Sequence, residues 1–402
     1  MGALDIAVAG CGPAGLAAAL LLHRDGHRVT LFERFDAPRA VGSGLMIQPT
    51  GLAVLRRLGL DAALLRHGAR IDRLLGKAGA KDRVVLDVRY RALGARAGFG
   101  VGIHRAALFD ILYRAVRAEG IALATGRTVM ASSGVAGARR LLFADGGGEG
   151  PFDLIVDALG TRTPLAPPTG RVLPYGALWA TLDWPGDAGF DPGALEQRYR
   201  AASVMVGVLP VGTSPGEAGR KAAFFWSLRA DRLRDWRARG LDAWKADVAA
   251  LWPATRQLLG RIATPDQLTF ALYAHRTLAA PVGPGMIHIG DAWHSASPQL
   301  GQGANMALLD AYALALALRG AGRGDVDAAL GRAARLRRRH VRRYQAMTAL
   351  FTPVYQSDSR AIPFIRDRLV GPLSKLWPAT WIQAAMVSGL IGNPLAPLGL
   401  DG

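Results

Sequence analysis

The chain comprises 402 residues, 50% of them hydrophobic, with a formal net charge of +18 and one cysteine, Cys11. This length and apolar content allow one large domain plus a smaller one, and a single cysteine excludes a disulfide framework and suits a reducing, cytoplasmic setting. The charge sits on dispersed arginines with only five lysines; no DNA- or RNA-binding signature accompanies it, so an anionic small molecule or lipid is a more economical match than nucleic acid.

In chain order, Asp5–Ala9 reads as a short buried strand, Leu16–His23 as an apolar helix and Arg28–Phe32 as a second strand ending at Glu33. An N-terminal strand carrying Asp5 is not a signal peptide. Between strand and helix lies Gly10-Cys11-Gly12-Pro13-Ala14-Gly15, a G-x-G-x-x-G turn in the strand–turn–helix–strand context that gives it meaning. Gly10 allows the tight turn, Gly12 lets the backbone approach a pyrophosphate, and Gly15 lets the helix pack close to the sheet. The helix start offers N–H groups and partial positive charge to phosphates. Glu33, 18 residues beyond Gly15, is placed to accept hydrogen bonds from ribose hydroxyls and would repel a 2′-phosphate, so NADP is not expected there. Packing explains Cys11 better than redox chemistry. The turn alone does not distinguish FAD from NAD.

From about residue 170 to 280 the texture changes. Leu178–Leu182, Val204–Val208 and Ala222–Leu228 read as strands of an antiparallel sheet, with helical segments between 229 and 259. Tyr175, Trp179, Met205, Phe224, Phe225, Trp226 and Tyr273 are candidates for a pocket wall, most of them expected to fill core. Met286–Ile289 reads as a strand, Gly290-Asp291 as its end, and Asn305–Arg319 as an apolar helix. Asp291 suits the ribityl chain of a flavin, and the Gly301-Gln302-Gly303 turn lets backbone N–H groups approach a planar ligand. The helix start would stabilise negative charge that develops on a flavin during reduction. This second element selects FAD.

Arg332–Arg343 spreads cations over several helical faces and reads as solvated or ion-paired. Leu376–Leu400 lacks charged residues, but Pro378, Gln383, Asn393, Pro394 and Pro397 argue against a bilayer span. Packing over the neighbouring sheet is expected, and membrane contact is not favoured. The eight histidines show no metal-ligand spacing, no G-x-S-x-G occurs, and no metal is expected.

Gly10–Gly15, Glu33-Arg34, Gly42–Leu45, Gln48-Pro49, Leu55–Leu60, Ile103–Arg105, Asp153–Gly160 and Gly290–Asp310, in this order, resemble the single-component (class A) FAD-dependent aromatic hydroxylases, the group of para-hydroxybenzoate, salicylate and ubiquinone-pathway hydroxylases. The resemblance implies an α/β fold: a Rossmann-like FAD-binding domain (GR2-type) with an inserted antiparallel-sheet substrate domain and C-terminal helices. Its parts would be FAD-binding segments at 1–75, 97–168 and 281–345, a substrate-domain hairpin at 76–96, the substrate domain at 169–280 and a C-terminal helical segment at 346–402. It implies FAD as cofactor, NADH or NADPH as transient electron donor, O₂, and a small aromatic substrate hydroxylated through a C4a-hydroperoxyflavin. Cofactor contacts are implied at Gly10, Gly12, Pro13, Ala14, Gly15, Glu33, Arg34, Gly44, Leu45, Arg105, Val129, Asp291, Gly301, Gly303, Ala304 and Asn305. Pro298 and His294 are the candidates for shaping the reacting region, His294 either as a proton relay or as a structurally bonded loop residue.

One departure stands out. The family carries Ala-Asp-Gly after its Asp-Leu-x-Val strand, where this chain reads Asp153-Leu154-Ile155-Val156-Asp157-Ala158-Leu159-Gly160. Leu159 takes the place of the aspartate, and Asp157 either substitutes for it or caps a turn. A related FAD-dependent oxidase or dehydrogenase without oxygen transfer, and a non-catalytic flavin-bound scaffold, stay open as alternatives. Oligomeric state is not legible.

Overall fold

The strand Asp5–Ala9 has apolar residues on both faces because it lies inside a sheet covered on both sides. It pairs in parallel with Arg28–Phe32 and with Leu154–Asp157. The complete six-stranded sheet runs Val282–Gly283, Met286–His288, Leu154–Asp157, Asp5–Ala9, Arg28–Phe32, Ala122–Ala124. The computed structural model describes residues 2–38, 42–79, 82–96, 98–371 and 374–401.

One face of this sheet is covered by the helices Pro13–Arg24, Arg105–Ala118 and Gly303–Leu318, which share the largest apolar cluster. Helix Gly303–Leu318 lies deep in it: Leu308, Leu309, Leu314 and Leu318 are at most 1% exposed, each contributing about 1.5–3 kcal/mol by burial. The other face carries a three-stranded antiparallel sheet of Val129–Ser133, Arg139–Phe143 and Gly148–Phe152. Phe32, Phe143 and Phe152 fill that interface.

The middle of the chain forms an eight-stranded sheet in the order His294–Ser295, Thr269–Thr277, Arg171–Asp183, Lys221–Arg229, Val204–Gly212, Ala194–Arg200, Arg73–Ala78, Arg83–Arg89. Its pairings are antiparallel except one: Ala194–Arg200 runs parallel to Arg73–Ala78. The expected all-antiparallel sheet is therefore mixed, because the early hairpin Arg73–Arg89 is added along its edge.

Strand alternation sorts this sheet's side chains. Leu178, Phe224, Trp226, Val206 and Val208 face the helices Leu233–Arg239, Leu241–Leu251 and Arg256–Gly260, packing on Trp244, Trp252 and Leu258. Trp179, Ala223, Phe225, Leu209 and Val211 lie on the opposite face. That face meets a small sheet of Gly44–Ile47, Gly100–His104 and Ala69–Ile71. The approach is close enough to require glycine. A Cβ on Gly44 would lie 2.6 Å from Val211 Cγ1 and 2.7 Å from Ala223 Cβ, and one on Gly102 would overlap the Pro210 carbonyl oxygen.

The helix Val326–Tyr355 buries a stripe of Leu330, Ala333, Ala334, Val341 and Tyr344. Helix Ala379–Val387 packs Ala384, Ala385 and Val387 onto Val88, Tyr90 and Leu93, as expected for a C-terminal segment lying over the eight-stranded sheet. No described helix is long and apolar enough to cross a membrane.

Candidate active site

The fingerprint turn and the late motif, about 280 residues apart, are in contact. Gly290 sits between helices Pro13–Arg24 and Gly303–Leu318, in a left-handed conformation (φ +58), and a Cβ there would come 3.2 Å from both Ala14 Cβ and Ala307 Cβ. Within the turn, a Cβ on Gly15 would overlap the Gly10 carbonyl oxygen, whereas one on Gly12 would meet no atom within 4 Å. Gly12 thus presents bare backbone to open space, the feature a pyrophosphate needs. Pro13 supplies the first helical residue and Ala14 is buried behind it.

Glu33 reaches back to this turn. Its Oε2 accepts from the Cys11 N–H at 3.0 Å and its Oε1 from the Phe35 N–H at 3.2 Å. A carboxylate has roughly four acceptor positions, so capacity for ribose hydroxyls remains. Arg34 is exposed, its guanidinium 4.5 Å over the Phe35 ring. Burial pushes the Cys11 thiol up to about 12, which fits packing and leaves no reactive thiolate at neutral pH. Val129 turns its side chain into the Phe32 cluster, so only its backbone borders the surface.

At the late motif the organising residue is Asp310, which the sequence reading had not singled out as functional. Its Oδ2 accepts from the Gly290 N–H at 3.0 Å and lies 2.6 Å from His294 Nε2; its Oδ1 accepts from Arg337 Nε at 2.8 Å. Asp310 and His294 are each 2% exposed and Arg337 1%. Burial alone would raise the Asp310 carboxyl, but His294 and Arg337 outweigh it and hold the group below the usual carboxylate range. Arg337 belongs to the arginine run expected to be solvated or ion-paired, and the pairing is real and internal. Its signal was present: it stands on the buried stripe, seven residues from both Leu330 and Tyr344, two helical turns each way.

Asn305 is 0% exposed. Its Oδ1 accepts from the Gln48 N–H at 2.7 Å, while Nδ2 donates to the Met46 and Gly301 carbonyls at 3.1 and 3.0 Å. The side chain expected to touch a cofactor is spent on tying two loops together. Gln302, in the turn between Gly301 and Gly303, donates through its side chain to the Val387 carbonyl at 2.6 Å and so ties the turn to the C-terminal segment. Pro298 is exposed and starts a short 3-10 turn, Pro298–Leu300, followed by left-handed Gly301 (φ +60). Gly303 is exposed at the start of the long helix, and Ala304 is half-buried beside it.

Asp291 is exposed to solvent, yet surrounding protein desolvates it enough to push its carboxyl up, with His294 and Arg105 partly offsetting this. A carboxylate that faces solvent while closely surrounded by protein is what the floor of a cofactor cleft requires. The Arg105 guanidinium acts on Asp291 electrostatically and also moderates the upward, desolvation-driven shift of the Tyr273 hydroxyl. Arg105 begins the helix Arg105–Ala118, and its stem runs under Gly42, where a Cβ would sit 2.9 Å from Arg105 Cδ. Leu45 anchors the Gly42–Leu45 loop on the main core. Ser43 Oγ is 2.8 Å from Thr181 Oγ1, which is 3.2 Å from His104 Nε2, so the loop is pinned to the eight-stranded sheet.

The pocket-wall candidates divide. Phe224 and Trp226 point away from the cleft into the core with Trp244, a consequence of strand alternation. Trp179, Phe225, Met205 and Tyr273 belong to the cleft-side layer: the Trp179 and Phe225 rings are 4.7 Å apart, and Trp179 Nε1 donates to the Tyr273 hydroxyl at 3.0 Å. Tyr175 is buried and donates to Asp358 at 2.6 Å.

Asp157 caps a turn. It is 0% exposed, accepts from the Leu159 N–H at 3.0 Å and the Thr163 hydroxyl at 2.7 Å, and lies 2.6 Å from His288 Nδ1. With its oxygens committed there it does not replace the missing aspartate, and Leu159 packs against the Phe32 cluster. No cluster of metal-ligating side chains occurs among the described residues.

The open backbone at Gly12, the spare acceptors of Glu33, the cleft-floor carboxylate Asp291 and the exposed helix start at Gly303 fit FAD. Comparison with known proteins agrees. The FAD binding domain family model matches residues 3–132 and 266–348. A salicylate hydroxylase of Pseudomonas putida is 31% identical, over 83% of this chain and 80% of its own. A putative 2-heptyl-3-hydroxy-4(1H)-quinolone synthase of Rhodococcus erythropolis is 30% identical, over 77% of this chain and 78% of its own. Among solved structures, Klebsiella pneumoniae HpxO complexed with FAD and uric acid superposes with a TM-score of 0.80 at 19% identity, over 97% of this chain and 98% of that one. The chain belongs to the class A FAD-dependent aromatic hydroxylase family and is an FAD-dependent monooxygenase.

Proposed function

We propose that the enzyme hydroxylates a small, electron-rich aromatic compound held between the flavin cleft and the Trp179–Phe225–Tyr273 face of the eight-stranded sheet. The observation that carries this is the direct abutment of the two layers, with Gly44 against Val211 and Ala223 and Ser43 bonded to Thr181. A ring lying on that face is within one side-chain length of the cofactor loop. The names of the relatives, which include a salicylate hydroxylase and a quinolone synthase, support a ring carrying a hydroxyl or an equivalent electron-donating group. The domain division implied by the sequence, with 169–280 as the substrate side, follows from the same reading.

When bound, FAD accepts two electrons from NADH or NADPH and activates O₂ for transfer of one oxygen atom. The chain's part is binding, orientation and exclusion of water. Gly10, Gly12 and Gly15 with the start of helix Pro13–Arg24 hold the pyrophosphate; Glu33 and Arg34 serve the adenosine end, with Val129 bordering it through its backbone. Asp291 holds the ribityl chain. Arg105 and the Gly44-Leu45 loop would flank the ring. The start of helix Gly303–Leu318, with the Gly303 and Ala304 N–H groups, would offset negative charge on it, Gly301 shaping the turn with its own N–H given to the Pro298 carbonyl. Pro298 shapes the space beside the ring. Asn305, His294 and Asp310 are positioning residues that hold this loop in register, His294 with its Nε2 committed to Asp310.

The test is anaerobic stopped-flow mixing of the FAD-loaded enzyme with NADH or NADPH and a panel of phenols. Bleaching of the flavin band that one phenol accelerates supports the reading and begins to name the substrate. Absence of reduction by either nicotinamide with every phenol would sink it and trace the loss to Leu159.

A further inference from the structure

Among the described residues, seven of the thirteen exposed large apolar side chains fall within residues 350–382. Trp377 is 82% exposed and Leu376 60%, with Trp381, Ile382 and Phe364 also exposed. This is a concentration that a soluble surface rarely carries without a partner. Trp377 immediately precedes the N-cap Pro378 of helix Ala379–Val387 and Trp381 lies in its first turn, so both exposed indoles cluster at the start of that helix. The later turns of that helix are spent on the protein, through Ala384, Ala385 and Val387, so the exposed indoles stand at its N-terminal end. Phe364 lies on the short helix Ala361–Ile365, which runs directly into Arg366–Val370; that turn packs on the same strand, Arg83–Arg89, as helix Ala379–Val387, which brings the two exposed groups to one edge. Arg366 fixes the turn by stacking on Tyr199 and Tyr355 and donating to the Ala201 and Val354 carbonyls.

The charge around this edge is one-sided. Arg360, Arg368 and Lys375 are exposed, and among the described residues none of them forms an ion pair with a carboxylate. Arg368 lies 4.3 Å over the Phe364 ring. The segment's one carboxylate between Arg360 and Leu400, Asp367, is taken by Arg366 at 2.7 Å. Tryptophans flanked by unpaired cations match the interfacial zone of an anionic bilayer, where indole sits at headgroup depth and lysine or arginine meets phosphate. A second copy of this chain is the poorer occupant, because each copy carries +18 and this edge adds to the repulsion.

We propose that the edge formed by Phe364, Leu376, Trp377, Trp381 and Ile382, with Arg368 and Lys375, docks the enzyme peripherally on an anionic lipid surface. The inference is independent of the substrate proposed above, and it requires no membrane-spanning helix.

Flotation of the FAD-loaded full chain with phosphatidylglycerol–phosphatidylcholine vesicles tests it, against phosphatidylcholine alone. The expected result is binding to the anionic vesicles, weakened at least tenfold by Trp377→Ser with Trp381→Ser and weakened less by Arg368→Gln with Lys375→Gln, with FAD content unchanged. Hydrogen exchange of the wild type with and without vesicles serves if the double variant fails to fold; protection confined to residues 361–368 and 374–387 supports docking. Failure of the wild type to bind, protection spread over the whole basic surface, or equal binding by the tryptophan variant overturns the proposal in favour of diffuse charge. Loss of a wild-type dimer in that variant, without vesicle binding, overturns it in favour of an interface between copies.

Discussion

On the side proposed for the cofactor the working surface is backbone: Gly12 and the helix start at Gly303 present it, and the side chains nearby, Asp310, Asn305 and Gln302, turn inward to hold loops. On the side proposed for the substrate the working surface is side chain: Trp179, Phe225 and Tyr273 on a sheet, with few polar contacts among them. The difference follows from what each side meets. A cofactor of fixed shape is matched by a fixed backbone whose polar groups are all placed, and substrates that vary between relatives are matched by side chains that can be exchanged without disturbing a hydrogen-bond network.

The comparison breaks first, and hardest, at Asp310. Asp310→Ala strands the buried Arg337 and frees Gly290 and His294, and removing one partner of a buried ionic group costs about 3–5 kcal/mol. Denaturant unfolding should report that loss together with poor FAD retention. If stability changes by much less, the hub is not holding the late motif.

Gly102→Ala attacks the seam between the two sides, forcing a methyl against the Pro210 backbone. Overpacking there should cost about 1–3 kcal/mol and weaken substrate saturation more than FAD binding. An unchanged melting curve would mean that the layers separate easily. Tyr273→Phe sharpens the contrast, since it removes the acceptor of Trp179 Nε1 and about 1 kcal/mol. KM for the aromatic substrate should rise while FAD affinity stays as in the wild type; an equal loss of both would erase the distinction between the sides.

The weakest effect is one of pH. Burial and the neighbouring Arg337 hold His340 neutral, its pKa pushed down to about 2. The unfolded chain takes up that proton near pH 6.5, so stability is complete above that value and falls as the pH drops below it. The slope approaches about 1.4 kcal/mol per pH unit, giving on the order of 1 kcal/mol between pH 6.5 and 5.5. His340→Gln should flatten that part of the stability profile, and an unchanged slope would assign it to other groups.

Much of this was legible in the residues, for reasons that differ by element. The strands Asp5–Ala9 and Arg28–Phe32 are observed with the bounds the sequence predicts, because glycine turns and a helix punctuate them locally. Helix Asn305–Arg319 is observed as Gly303–Leu318, a shift within the usual fraying of helix ends. Asp157 was undecidable, since its orientation is set by His288, 131 residues away. Phe224 and Phe225 were indistinguishable in composition; alternation separates them, but which face meets the cofactor depends on the small sheet docking against Gly44. Arg337 was hidden in a charge run that reads as surface. The exposed Trp377 could not be told from a core tryptophan by sequence, and only its place on the fold reveals it.

The central claim, that Asp291 and Arg105 bracket a flavin at the seam, is tested most directly by FAD affinity. Asp291→Ala and Arg105→Ala should each bind FAD roughly three- to tenfold more weakly than the wild type, from about 0.5–1.5 kcal/mol per lost hydrogen bond. Ultrafiltration of the purified proteins against free FAD reads this without knowledge of the substrate. If both variants retain FAD as tightly as the wild type, the cofactor lies elsewhere and the account of the cleft is wrong.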